Sequence, residues 1–159
     1  MAALIGFNPE QVDTALTGGK TFGLGDAAQD HAGKEYVYVK ASAAISQYDV
    51  VTYDETYNTT VAPVTTTNGV RGDKLGVAPV AIASGSYGWL QIYGPCVINV
   101  AASCVPNVEL TLTSVAGVLD DATTASLDVA DGIVTTAASA SAAASKAAIL
   151  NYPQVGRTL

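Results

Sequence analysis

Glu35-Tyr36-Val37-Tyr38-Val39-Lys40 alternates residue by residue, with Tyr36, Tyr38 and Lys40 on one face and Val37 and Val39 on the other. A period of two predicts a half-buried β-strand. Downstream, short β-branched or aromatic runs recur at residues 48–53, 59–64, 75–83, 87–93, 96–100 and 108–113. The breaks between them fall at Asn68-Gly69, Ser84-Gly85-Ser86, Gly94-Pro95, Pro106-Asn107 and Ala116-Gly117, residue types that turns select. Many short strands and no long amphipathic helix predict an all-β fold, a small antiparallel β-barrel or sandwich. Ile45-Ser46-Gln47-Tyr48-Asp49-Val50-Val51 has its apolar and acidic positions in step with Val105-Pro106-Asn107-Val108-Glu109-Leu110-Thr111. Either a strand-turn-strand unit is used twice or two short stretches agree by chance.

Upstream of residue 35 the pattern changes. Gly6, Gly18, Gly19, Gly23, Gly25 and Gly33 stand among polar residues, with isolated apolar anchors at Leu4, Ile5, Phe7, Phe22 and Leu24. This predicts an extended N-terminal arm over residues 1–34 and a β-barrel-like body over 35–159. Asn8-Pro9 offers the start of a short helix, which Gly18-Gly19 would end within about two turns. Near the other end, residues 137–148 are almost all Ala and Ser. They suit a helix by the preference of Ala, or a loose loop before a last strand at 147–152 that Pro153 stops.

The 159 residues fit one domain. Leu, Ile, Val and Phe make up about a quarter of them, enough for a core. Phe, Trp and Met together number only four, so subunit contacts are expected to add to the buried apolar area. The net charge is −7, and the basic residues Lys20, Lys34, Lys40, Arg71, Lys74, Lys146 and Arg157 are scattered, which argues against a nucleic-acid partner. No apolar run reaches the roughly 20 residues of a membrane span, and the N-terminal residues lack the basic and apolar regions of a secretory signal. No membrane partner is expected.

Reactive constellations are equally sparse. The one histidine, His31, lies in a Gly/Ala/Asp-rich stretch and reads as a solvated loop residue. Asp120, Asp121, Asp128 and Asp131 lack the ligand alternation of a calcium loop and read as surface acidity. Gly18-Gly19-Lys20-Thr21 lacks the spaced first glycine of a phosphate loop. Cys96 and Cys104 have no second pair and read as small buried hydrophobes. Arg71-Gly72-Asp73 reads as a hairpin loop. No catalytic residue, metal site or cofactor is expected. Tyr87, Trp89 and Tyr93 share a strand face with Gln91, which suits a sugar or partner platform, the core, or a subunit interface. Tyr36 and Tyr38 join them as core or interface candidates.

Three segments together resemble the capsid decoration (cement) proteins of tailed bacteriophages: Leu75-Gly76-Val77-Ala78, Gly88-Trp89-Leu90-Gln91-Ile92-Tyr93-Gly94, and Leu110-Thr111-Leu112-Thr113-Ser114 with Ala116-Gly117-Val118-Leu119. Phe22-Gly23-Leu24-Gly25 and Tyr36-Val37-Tyr38-Val39-Lys40-Ala41 are similar to the lead-in of phage structural proteins, and the chain departs from the pattern at Pro106-Asn107. The resemblance implies a protein made in the host bacterial cytoplasm that binds the outer surface of the expanded head as a homotrimer or dimer. There it would strengthen contacts between major capsid protein capsomers, with Leu4, Ile5, Phe7, Phe22 and Leu24 as capsid-binding anchors of the arm. The competing expectation is a head-fibre or surface adhesion module that binds a host glycan or protein.

Overall fold

A computed structural model describes residues 6–14, 18–61 and 71–159. Among them no residue is helical, and the strands join into one ten-stranded sheet. In chain order they are β1 (Ala27–Gln29), β2 (Glu35–Ala41), β3 (Val50–Tyr53), β4 (Asn58–Val61), β5 (Lys74–Val77), β6 (Tyr87–Val100), β7 (Thr111–Leu112), β8 (Leu119–Asp120), β9 (Asp128–Thr135) and β10 (Ala144–Thr158). The all-β expectation holds. The sheet is mixed, however, because β2 pairs parallel with β4 and β6 pairs parallel with β8.

The pairings close two rings with the same plan. In the first, β2 joins β4, β4 joins β3, β3 joins β5, β5 joins β6, and β6 returns to β2. In the second, β6 joins β8, β8 joins β7, β7 joins β9, β9 joins β10, and β10 returns to β6. Each ring therefore pairs its first strand parallel to its third and antiparallel to its fifth. The register agrees as well. Ala41 lies opposite Thr59 as Val100 lies opposite Leu119, and the next amides, Ser42 N–H and Ala101 N–H, donate to Thr59 O at 3.1 Å and Leu119 O at 2.9 Å. The two matching stretches, 45–51 and 105–111, enter the second strand of each ring, so their likeness falls on equivalent positions.

Strand β6 closes the first ring and opens the second. The break expected at Gly94-Pro95 is absent, since β6 runs through it for 14 residues. Gly94 absorbs the bend at φ +91°, and the Gln91 side-chain amide donates to Tyr93 O at 3.0 Å and Pro95 O at 2.9 Å across it. Tight turns feed the strands. Ser86 N–H donates to Ala83 O and Val118 N–H to Val115 O, with Gly85 and Gly117 at positive φ in the third position that such turns reserve for left-handed residues.

The C-terminal stretch departs furthest from expectation. Of the two alternatives for the Ala/Ser stretch, the loop before a last strand holds over residues 137–143, and the strand itself, β10, starts earlier than expected at Ala144, because pairing to β6 on one side and β9 on the other outweighs the helix preference of Ala. Pro153 does not end it. Between Leu150↔Ile133 and Gln154↔Asp131 the strand carries extra residues in a bulge, with Tyr152 at φ +47°, and a proline in a bulge forfeits no ladder bond. Strand β9 was not expected either, since Asp131-Gly132 interrupts its alternation. Its Asp128 is buried and accepts from Thr158 Oγ1 at 2.6 Å, which corrects the reading of that acid as surface charge.

Two apolar interiors result. Val37, Val39, Ile45, Val51, Ile82 and Leu90 fill the first ring. Ile98, Val100, Leu110, Leu112, Ile133 and Leu150 belong to the second interior, which extends to Val50 and Leu75.

Candidate functional site

The outer face of β2 and the first half of β6 carries Tyr36, Tyr38 and Trp89, with Tyr38 directly opposite Trp89. All three are buried, so β2 is covered on both faces and not half-buried as its alternation predicts. The cover is the arm. Phe7 meets Trp89 edge-on at 4.8 Å between ring centroids, and Phe22 meets Trp89 at 5.1 Å and Tyr38 at 5.5 Å. Leu24 and Tyr87 pack at the margin of the same cluster. Phe7, Phe22 and Leu24, expected to anchor the arm on a capsid, thus anchor it on its own body, because three large rings left bare would expose apolar surface to water. Leu4 and Ile5 lie outside the described residues.

Polar bonds pin the arm in place. Asp13 and Tyr87 exchange backbone hydrogen bonds of 2.9 and 2.8 Å, and β1 adds an edge strand to β2. The Asp13 carboxylate accepts from Gln11 Nε2 at 2.8 Å, from Thr21 N–H at 2.8 Å and from the buried Tyr38 hydroxyl. Burial pushes the Asp13 carboxyl up, but these donors outweigh it and hold it below the usual carboxylate range. Burial, then the bond to Asp13, pushes the Tyr38 phenol far up. The helix expected from Asn8 is instead a turn, in which Asn8 Oδ1 accepts from Glu10 N–H at 3.0 Å and Asn8 O from Gln11 N–H at 3.0 Å. Beneath the arm, Trp89 Nε1 is buried with no acceptor among the described residues.

In the second ring, nothing among the described residues covers the equivalent face. There Pro95 and Val97 of β6 lie opposite Ile149 and Ala147 of β10, and Ile149 is flanked on its other side by Val134 of β9. Ile149 is 51% exposed and Val134 39%. The Thr135 hydroxyl and the Asn107 amide tie the 105–108 loop to this edge, and that loop adds the exposed Val105 and Val108. Val134, Ile149 and Pro95 therefore form a cross-strand apolar row. Tyr93, expected with Trp89 in core or interface, stands at its end, exposed and stacked on Tyr152.

Other candidate groups have structural partners. Cys104, Asp120 and Asp121 bring ligand atoms within 4.8 Å of one another. Asp121 Oδ2, however, accepts from Val105 N–H at 3.0 Å, and Asp120 Oδ1 accepts from Asp121 N–H at 2.9 Å. Burial, then the charges of Asp121 and Asp120, push the Cys104 thiol up, opposite to what a nucleophile or metal thiolate needs. Cys96 and Cys104 are both free, one half-buried and one buried. His31 is exposed in a turn, and Arg71-Gly72 forms another exposed turn. Tyr87, Trp89 and Tyr93 do not assemble into the alternative platform, since Trp89 lies in the core under the arm while Tyr93 is exposed. Comparison with known proteins finds no family model that matches the chain and no curated protein that matches it.

Proposed function

We propose that this protein is a capsid decoration protein that acts by binding, not by catalysis. It sits on the outer surface of an expanded phage head and links major capsid protein capsomers, in a homotrimer or dimer. The resemblance of its strand motifs suggests the class, and the observation that carries the reading is the bare row Pro95, Ile149 and Val134. A row of aliphatic side chains held in cross-strand register on a hydrogen-bonded sheet offers a protein partner a preformed apolar contact. Strand edges are largely consumed by the rings, which suits a protein that must stay soluble at high copy number.

Mixing with expanded empty capsids tests this. Light scattering and negative-stain microscopy should show a discrete oligomer that coats capsids at regular sites. A monomer that leaves capsids bare would refute it.

A further inference from the structure

The covered and bare parts of the outer face meet along β6, and a cleft of about 480 Å³ opens where they meet. Pro9 and Glu10 of the arm, Lys34, and Gln91, Pro95 and Val97 of β6 line it. Pro95 belongs to both the cleft and the bare row, so a partner seated on the row reaches the cleft directly.

The cleft holds hydrogen-bond acceptors with capacity to spare. Gln91 is only 5% exposed, and its Nε2 donates to Tyr93 O and Pro95 O. Two carbonyl partners fix which way the amide is turned. Its Oε1 accepts from no described group. The buried side-chain polar atoms without a partner are Thr59 Oγ1, Trp89 Nε1 and Asp128 Oδ2, so Gln91 Oε1 reaches water, and the cleft that Gln91 lines is its opening. Asp30 stands in the same wall. Its Oδ1 accepts from Ala32 N–H and Lys34 N–H, both at 2.9 Å, but its Oδ2 only from the Tyr36 hydroxyl, at a long 3.4 Å. Glu10 is exposed, and among the described residues neither it nor Lys34 has an ion-pair partner. Two carboxylates against one ammonium leave the cleft negative.

We propose that this cleft takes an arginine side chain from the protein partner that covers the bare row, an inference that rests on the reading of that row as a docking face. A guanidinium carries five N–H donors and no acceptor, which matches Gln91 Oε1, Asp30 Oδ2 and the Glu10 carboxylate. Its stem is apolar, and Pro9, Pro95 and Val97 give it a wall to lie on. An acidic side chain would meet Lys34 alone and set its charge beside two carboxylates.

The test is titration of the full chain with a blocked tripeptide, arginine between two valines, followed by amide chemical shifts, with citrulline and glutamate peptides of the same design alongside. The arginine peptide should shift residues 10, 30–36 and 91–97, and with them the side-chain amide of Gln91. Citrulline keeps the shape and loses the charge, so its peptide should bind at least about fivefold more weakly. Glu10→Lys should leave the melting curve unchanged and weaken the arginine peptide by about three- to tenfold. The proposal is overturned if the arginine peptide shifts none of these residues up to about 50 mM. It is equally overturned if the citrulline or glutamate peptide binds there as well as the arginine peptide, or if Glu10→Lys, equally folded, binds as the parent chain does. No capsid enters the titration, so the two readings fail separately. A chain that coats capsids but ignores the arginine peptide loses this inference alone, and one that binds the peptide but leaves capsids bare loses the proposed function.

Discussion

The outer faces of the β2–β6 and β6–β10 strand pairs occupy the same place in two rings of the same plan, and their chemistry differs. Tyr36, Tyr38 and Trp89 on the first are covered by Phe7, Phe22 and Leu24. Pro95, Val97, Ala147 and Ile149 on the second face outward beside Val134. Large aromatic rings demand a cover for the fold to be stable, and the chain supplies it from its own N-terminal arm. Smaller aliphatic residues can be left open at lower cost, which keeps that face available to a partner. A single topology used twice thus carries one covered aromatic face and one open aliphatic face, the second being the face that the proposed function would use.

The sharpest way to break this contrast is at Trp89. Trp89→Ala should cost about 3–5 kcal/mol, because it opens a void beneath the arm as well as losing buried area. A melting temperature lowered by about 6–20 °C would report it. Conversion of the equivalent Ala147 to Ser should leave melting nearly unchanged. If the two substitutions had equal effects, the faces would not differ as described.

The arm is tested next through Asp13. Asp13→Ala strands the Tyr38 hydroxyl and the Thr21 amide and should cost about 1–3 kcal/mol in thermal or urea unfolding. Acid should loosen the same contact. Because the folded-state value lies below the unfolded one, the stabilisation is present above about pH 4 and fades as pH falls through the folded value. Acrylamide quenching of Trp89 should therefore rise below about pH 4, and Asp13→Asn should abolish that step.

Gly132 probes the bulge that lets β10 pass Pro153. A Cβ there would sit 2.7 Å from Asn151 O with the backbone at φ +78°, so Gly132→Ala should destabilise by about 1–3 kcal/mol in the same unfolding measurement. An unchanged stability would mean that β9 and β10 do not approach as closely as described.

The sequence exposes some of this and hides the rest for identifiable reasons. Alternation at 35–40 reveals β2, because valine and tyrosine at period two describe a strand wherever it lies. It does not reveal that both faces are buried, since the cover comes from Phe7 and Phe22 in a glycine-rich stretch with no period. The last strand is legible at 147–152, but its start at Ala144 and its run past Pro153 are hidden, because Ala and Ser carry little β preference of their own and take their conformation from β6 and β9. The repeated plan shows only at 45–51 and 105–111. Elsewhere equivalent positions still face inward but change residue, as buried Val37 and Val39 give way to half-buried Cys96 and buried Ile98. Of the candidate residues, the aromatic set was visible and its division was not. Tyr36, Tyr38 and Trp89 go under the arm, while Tyr93 pairs with Tyr152 outside.

The smallest expected change in stability accompanies the most informative change in binding. Ile149→Glu places a charge in the middle of the bare row, yet an exposed site should tolerate it to within about 0.5 kcal/mol. Cosedimentation of this variant and the parent chain with expanded capsids reads directly whether the bare row binds them. The parent chain should pellet with capsids, and the variant, equally stable, should stay in the supernatant. Equal binding by both would contradict this and remove the bare face from the interface.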